Sequence, residues 1–225
     1  MRSARPAASG VLPGVEALRN HCQGLALLDA VLSPEWDARF YSYDVHWGEG
    51  EQMASMRDGI GGECAIVFSA AGAYVRGLDH ESLMSPWARM DVPAVWPGVV
   101  DDVPEVFRPY VQEPAFCDER AVAAITRCLW RRTPDTLWQT GTIVFPEEGD
   151  GAPDGADVLF ELLVDRSPDA YAKWASEYYE VPVHVEAVRH ILAGHPLTAE
   201  IVAVLNPDIE LSGVAEDIAL IGHPA

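Results

Sequence analysis

Positive charge is scarce in this chain. Thirty-five aspartate and glutamate residues face fifteen basic ones, which gives a formal net charge of −20, and Lys173 is the only lysine. Phosphate groups repel such an excess of negative charge, so the sequence argues against binding to nucleic acids and to anionic membrane surfaces. The same charge favours solubility and a partner of opposite sign. We therefore expect a basic protein as the partner.

Cysteines and long apolar runs are also few. The four cysteines contain no C-x-x-C pair, which argues against a zinc knuckle or a thioredoxin-like motif, and they are too few for a disulfide scaffold. No run of about 18 apolar residues occurs, so we expect no membrane span. The first residues lack the apolar stretch of a signal peptide, which predicts a cytoplasmic protein.

Common catalytic motifs are missing as well. The sequence has no G-x-x-x-x-G-K-[ST], no H-E-x-x-H, no S-x-x-K and no G-x-S-x-G, and residues 59–62 lack the G-x-G-x-x-G spacing. These absences exclude the most recognisable phosphate-binding, zinc-peptidase and serine-hydrolase sites, although they do not exclude every enzyme. We predict neither a cofactor nor a bound metal.

The apolar pattern predicts an α+β fold with strands first and helices afterwards. Leu18, Cys22, Leu25, Leu28 and Leu32 recur at steps of three and four, which is typical of one face of a helix over Val15–Leu32. Strict alternation of apolar and polar residues from 41 to 47 predicts a half-buried strand. Strands near 52–57, 64–68 and 73–78 complete a predicted antiparallel meander.

The later segments predict a second hairpin and a mostly helical C-terminal third. The hairpin is expected from residues 123–132 and 137–145, and the apolar run 158–164 is strand-like. Helices are predicted over 168–180, 185–193 and 198–205, and from 212 onwards. We expect a flexible tail over 1–13 and a single domain over 14–225, with a sub-boundary in the acidic loop 146–157.

A set of polar residues on the meander and its loops is the candidate site. Asp44 and His46 lie two apart on a strand and share a face, where a carboxylate can orient an imidazole as a general base. If the end of the fourth strand lies near them, the two groups together form a mixed His/carboxylate metal site. A solvated sheet face with ordinary ion pairs would use the same residue types. The catalytic candidates are Asp44, His46, Asp79, His80 and Glu81. The binding candidates are Glu49, Glu51, Arg57, Asp58 and Trp87.

Three further groups favour a structural interpretation. The acidic loop does not match the EF-hand pattern, the histidine spacing is that of an ordinary surface pair, and tryptophans serve core packing more often than ligand pockets. The acidic loop contains Glu147, Glu148, Asp150, Asp154 and Asp157. The histidine group is His184, His190 and His195. The tryptophan set is Trp87, Trp96, Trp130, Trp138 and Trp174.

Several segments, taken together, resemble a group of bacterial conserved hypothetical proteins. They are FYSYDVHWGEGEQMASMRDG (40–59), GLDHESLMSPW (77–87), VWPGVVDDVP (95–104), LWQTG (137–141), WASEYYEV and HPLTAEIVAVLNP (within 174–207). The resemblance implies a bacterial cytosolic protein. In composition and in its helix-plus-meander layout the chain is also similar to SMI1/KNR4-type (SUKH) immunity proteins. No functional residue is carried over from either resemblance.

These observations leave three functional hypotheses. The first is a non-catalytic, acidic protein-binding protein, immunity-like in its role, which meets a basic partner through its surface charge. The second is a metal-assisted hydrolase that uses the polar set of the meander. The third is a small-ligand binding domain with a tryptophan-lined pocket. The sequence does not indicate an oligomeric state.

Overall fold

The computed structural model describes residues 12–88, 92–146 and 153–224. The helices in these residues are α1 (Val15–Leu32), α2 (Arg108–Val111), α3 (Ala156–Leu159), α4 (Glu161–Val164), α5 (Pro168–Tyr178), α6 (Val185–Leu192), α7 (Ala199–Leu205) and α8 (Ala215–Ile221). The strands are β1 (Tyr41–Gly48), β2 (Glu51–Arg57), β3 (Glu63–Ser69), β4 (Gly72–Leu78) and β5 (Arg127–Arg132). The predicted α+β class is confirmed, with antiparallel strands in the N-terminal part and helices mostly in the C-terminal third.

The chain divides into two compact units. The helical unit comprises Glu16–Met56 and Leu162–Ala225, and the sheet unit comprises Met1–Val15 and Arg57–Glu161. The prediction of a single domain over 14–225 stays a prediction. In the residues that the structure describes, no helix is both long enough and apolar enough to cross a bilayer.

Helix α1 is the centre of the helical unit. Its predicted bounds are confirmed, and from Gly24 to Val31 every side of the helix is buried, not only the predicted face. Gly24 allows close packing because a Cβ there would lie 2.9 Å from the Leu192 side chain on α6. The helix ends before Pro34, where proline disfavours helical geometry in the preceding residue.

A buried carboxylate joins α1 to β1 and α5. Asp29 is fully buried, and it accepts hydrogen bonds from the hydroxyls of Tyr171 (2.5 Å) and Tyr179 (2.8 Å). It also accepts the backbone N–H groups of Tyr41 (2.6 Å) and Phe40 (3.1 Å). Four donors satisfy both oxygens, which offsets much of the cost of burying a charge.

Strands β3, β4 and β5 form the core of the sheet unit. They pair antiparallel with neighbours in the chain, from Glu63 opposite Leu78 and from Gly72 opposite Arg132. Every residue of β4 is buried, as expected for a strand paired on both sides. In the helical unit, β1 and β2 pair antiparallel, with an irregularity between Asp44 and Gly48.

Two segments differ from their predicted structure. Residues 158–164 were expected to be strand-like, but they fold as α3 and α4, because a short apolar run fits a buried helix as well as a strand. The second arm of the later hairpin pairs with β5 through backbone hydrogen bonds between Trp130 and Gln139, and not along a full strand.

Parts of the predicted tail and acidic loop lie outside the described residues. These parts are residues 1–11 of the tail and Glu147, Glu148 and Asp150 of the loop. Within the described part of the tail, Leu12 is buried, and the Pro13 carbonyl accepts a hydrogen bond from the Trp138 indole at 2.7 Å.

Candidate functional site

The predicted catalytic residues on β1 are engaged locally. The Asp44 carboxylate accepts a hydrogen bond from the backbone N–H of His46 at 2.7 Å, so this bond stabilises the irregular part of β1 instead of orienting the imidazole. The His46 side chain is exposed. A base assembled from this pair would have to act in an open, solvated position.

The predicted catalytic residues after β4 form a tight turn in the sheet unit. The Asp79 carboxylate accepts the backbone N–H of Glu81 at 3.0 Å, and the Asp79 N–H donates to the Thr126 hydroxyl at 3.0 Å. The His80 ring packs over Gly61, where a Cβ would lie 2.5 Å from Nδ1 and where φ is +106°. Glycine is thus required at Gly61 both for its backbone geometry and for the room that it leaves the imidazole.

The structure describes no group of three or more His, Cys, Asp or Glu residues that could hold a metal ion within 12–88, 92–146 and 153–224. The two halves of the predicted mixed site belong to different compact units. Of the histidine group, His190 bonds the Pro196 carbonyl at 2.8 Å, and its ring lies 5.1 Å from that of His195.

The binding candidates have different surroundings. Asp58 closes the β2–β3 turn, because its carboxylate accepts the N–H groups of Ile60 and Gly62 at 2.8 Å each. Glu49 and Arg57 are exposed, and Glu51 is half-buried. Trp87 does not itself line a groove, but its indole N–H donates a hydrogen bond to Asp118, which does.

This groove lies in the sheet unit and has a volume of about 650 Å³. Three segments of the chain line it, and we name them the first wall (93–95), the second wall (111–114) and the floor (117–123). Its apolar surface comes mainly from Pro93, Val95, Val111, Pro114 and Val122. Its charged lining residues are Asp118 and Glu119, so the groove combines an apolar surface with a negative rim.

Asp118 holds the groove together. Its Oδ1 accepts the N–H groups of Arg120 (2.9 Å) and Val122 (2.8 Å), and its Oδ2 accepts the indole N–H of Trp87 at 3.2 Å. The turn includes Ala121 at a φ of +59°, which a non-glycine residue adopts only when its surroundings enforce it. The hydrogen bond from Val122 is the largest of the effects that lower the pKa of Asp118, so this carboxyl stays ionised.

A buried arginine supports the floor from the sheet. Arg76 on β4 is 4% exposed, donates to the Ala124 carbonyl and pairs with Glu63. Its guanidinium also lies 4.6 Å from the centroid of the Phe116 ring. These contacts fix both ends of the turn 117–123 to the core, so the groove is largely preformed.

The wall formed by residues 93–95 is also held in place by contacts with the rest of the sheet unit. The N–H of Ala94 donates to the Pro86 carbonyl at 3.0 Å, and the Trp96 indole donates to the Val144 carbonyl at 2.9 Å. Gly98 has a φ of +86°, and a Cβ there would lie 2.1 Å from the Thr142 carbonyl oxygen. The wall that contains residues 93–95 is therefore held at both ends.

Cys117 places a thiol in the groove. It is half-buried, whereas Cys22, Cys64 and Cys128 are buried. Burial raises the pKa of the Cys117 thiol, and Arg76 opposes that effect. The thiol is thus mostly protonated at neutral pH, so it reacts slowly with alkylating reagents.

None of the residues that line the groove was predicted from the sequence as a site residue, and Trp87, a predicted binding residue, contacts the groove only through its hydrogen bond to Asp118. Asp118 and Trp87 are separated by thirty-one residues in the chain, and a contact at that separation leaves no periodic pattern. Of the other tryptophans, Trp130 and Trp138 are buried, and Trp174 packs among the aromatic rings of the helical unit.

Comparison of the chain with protein-family models, with curated proteins and with solved structures finds no match.

Proposed function

We propose that this chain is a non-catalytic, immunity-like protein that binds a basic protein partner through its negatively charged surface. Charge of a single sign steers an oppositely charged partner and raises the rate of association. The proposal does not require a metal, a cofactor or a general base.

One observation supports this proposal above all: the buried charges cancel. Among the described residues, the buried acidic side chains are Asp29 and Asp154, and the buried arginines are Arg76 and Arg127. Their formal charges sum to zero, so the net charge of −20 is carried by the other residues. The surplus of carboxylates thus remains available to an approaching cation.

Several arginines of the chain pair with its own carboxylates. Arg39 pairs with Asp217 at 2.5 Å and Arg132 pairs with Asp135 at 2.9 Å. The other salt-bridging arginines in the described residues are Arg76, Arg108, Arg127 and Arg189. Each pair uses one cation and one carboxylate, so these ion pairs leave the net charge of −20 unchanged.

A peptide-display selection tests the proposal. The immobilised protein is exposed to a library of random short peptides at physiological salt, after peptides that bind a polyglutamate surface have been removed. We expect the recovered peptides to be enriched in Lys and Arg over Asp and Glu. Recovery without that enrichment, or no recovery after the polyglutamate step, would contradict the proposal.

A further inference from the structure

We infer that the groove around Asp118 is the docking site for an extended segment of a partner protein in which bulky apolar residues are flanked by arginine or lysine. This inference rests on the proposed function and gives it a location and a ligand chemistry. Both parts of the ligand follow from the lining of the groove.

The apolar part follows from the walls and from their surroundings. The groove is lined mainly by proline, valine and alanine, and its volume of about 650 Å³ lies within the range of known ligand-binding clefts, roughly 300–1,000 Å³. Apolar surface continues beyond it, since Trp87 is 39% exposed and Val92, next to Pro93, is 72% exposed. An open surface of this kind suits a chain that runs through it.

The cationic part follows from the rim. The charged lining residues are Asp118 and Glu119; Arg120 does not line the groove, although its charge also lowers the pKa of Asp118. The hydrogen bonds that hold Asp118 also keep it ionised, so the negative charge is fixed in position before binding. A basic side chain on the ligand would meet this rim while the neighbouring apolar side chain enters the groove.

Protection of Cys117 measures occupancy directly. The rate of alkylation of Cys117 is followed by mass spectrometry, with and without a short synthetic peptide in which Leu and Phe alternate with Arg. We expect saturating peptide to slow alkylation by at least about fivefold, because the thiol lies in the groove. The same peptide with Glu in place of Arg should give no protection.

A matched pair of variants locates the rim. Glu119 lines the groove and is exposed, and Glu177 is exposed on α5 in the helical unit. Glu119→Lys and Glu177→Lys change the net charge equally. We expect Glu119→Lys to weaken binding of the arginine peptide by about fivefold or more, and Glu177→Lys to have a clearly smaller effect.

A third variant blocks the groove without changing charge. Ala94 is exposed and lines one wall, so Ala94→Trp should fill part of the groove and weaken peptide binding by about tenfold. The midpoint of thermal unfolding, compared with that of the wild-type protein, shows whether the variant is folded. A folded Ala94→Trp variant with wild-type affinity would overturn the inference.

The outcomes separate the inference from the proposed function. If basic peptides are selected but neither protect Cys117 nor distinguish Glu119→Lys from Glu177→Lys, the partner binds elsewhere and only the inference fails. If no basic peptide is selected, the proposed function fails. If the anionic dye anilinonaphthalene sulfonate protects Cys117 and the arginine peptide does not, the groove is a small-ligand site and the inference is overturned.

Discussion

Two buried titratable side chains in the helical unit respond to pH in opposite directions. Burial raises the pKa of Asp29 to about 6, although four hydrogen bonds oppose the shift. Burial also lowers the pKa of His21 to about 4, and its Nε2 lies 2.7 Å from the Leu162 carbonyl. A carbonyl oxygen can only accept, so the neutral His21 carries its proton on Nε2.

Protonation and folding are linked, so these two pKa shifts make the free energy of unfolding depend on pH in opposite directions. Because its pKa is raised, protonated Asp29 favours the folded state. This stabilisation is fully present below the unfolded pKa near 3.8 and is lost as the pH rises through about 6. The lowered pKa of His21 makes the unfolded state the better proton acceptor between pH 6.5 and about 4, so stability falls as the solution is acidified through that range. In the wild-type protein the two effects partly cancel.

Single substitutions should therefore reveal each effect. Relative to the wild-type protein, Asp29→Asn should gain stability from pH 4 to about pH 6 and level off above it, by up to about 3 kcal/mol in total, because each pKa unit corresponds to about 1.4 kcal/mol. His21→Gln should instead lose stability relative to the wild-type protein as the pH rises over the same range. Urea denaturation at several pH values measures both trends, and parallel curves for all three proteins would contradict the assignment.

A buried ion pair in the sheet unit predicts strong coupling between two substitutions. Arg127 Nη1 and Asp154 Oδ2 lie 3.1 Å apart, and both side chains are almost fully buried. Removing only the carboxylate leaves a buried cation without compensation, so Asp154→Ala should cost about 3–5 kcal/mol. The double variant Arg127→Met, Asp154→Leu should lose less than the single one in urea denaturation. A loss in the double variant equal to the sum of the losses of the single variants Arg127→Met and Asp154→Leu would show that the charges are not coupled.

At the scale of the element, helix ends are where the sequence is most informative. The Ser167 hydroxyl accepts the N–H of Ala170 at 3.2 Å, and Pro168 follows at the first helical position, as predicted. Ser167→Ala should cost about 1 kcal/mol, and Ser167→Asp should retain most of the stability. Thermal unfolding compares them, and equal midpoints for Ser167→Ala and the wild-type protein would contradict the cap.

The remaining elements show why prediction succeeded in some places and not in others. The bounds of α1 follow from a periodic pattern and from the stop at Pro34, which are local signals. The segment 158–164 has no such signal, and its helical structure depends on packing against β4, where Leu159 and Phe160 approach Gly77. The groove depends on contacts such as Trp87 to Asp118, whose pairing becomes visible only after folding.

At the scale of the whole molecule, the proposed recognition of a basic partner depends on the net charge of −20 and on its display by residues outside the core. Short ion pairs within the chain, such as Arg39 to Asp217, lower the charge locally but leave the excess. Binding to such a surface must weaken as salt screens it, since the Debye length falls from about 30 Å at 0.01 M to about 8 Å at 0.15 M ionic strength.

The affinity of the arginine peptide as a function of salt is the most direct measurement of this claim. Isothermal titration calorimetry of the wild-type protein should show the dissociation constant rising by about tenfold or more between low and physiological ionic strength. Under the same conditions the dissociation constant of the arginine peptide for Glu119→Lys should depend less on salt than that for the wild-type protein. A dissociation constant that does not change over this range would contradict electrostatic recognition of a basic partner.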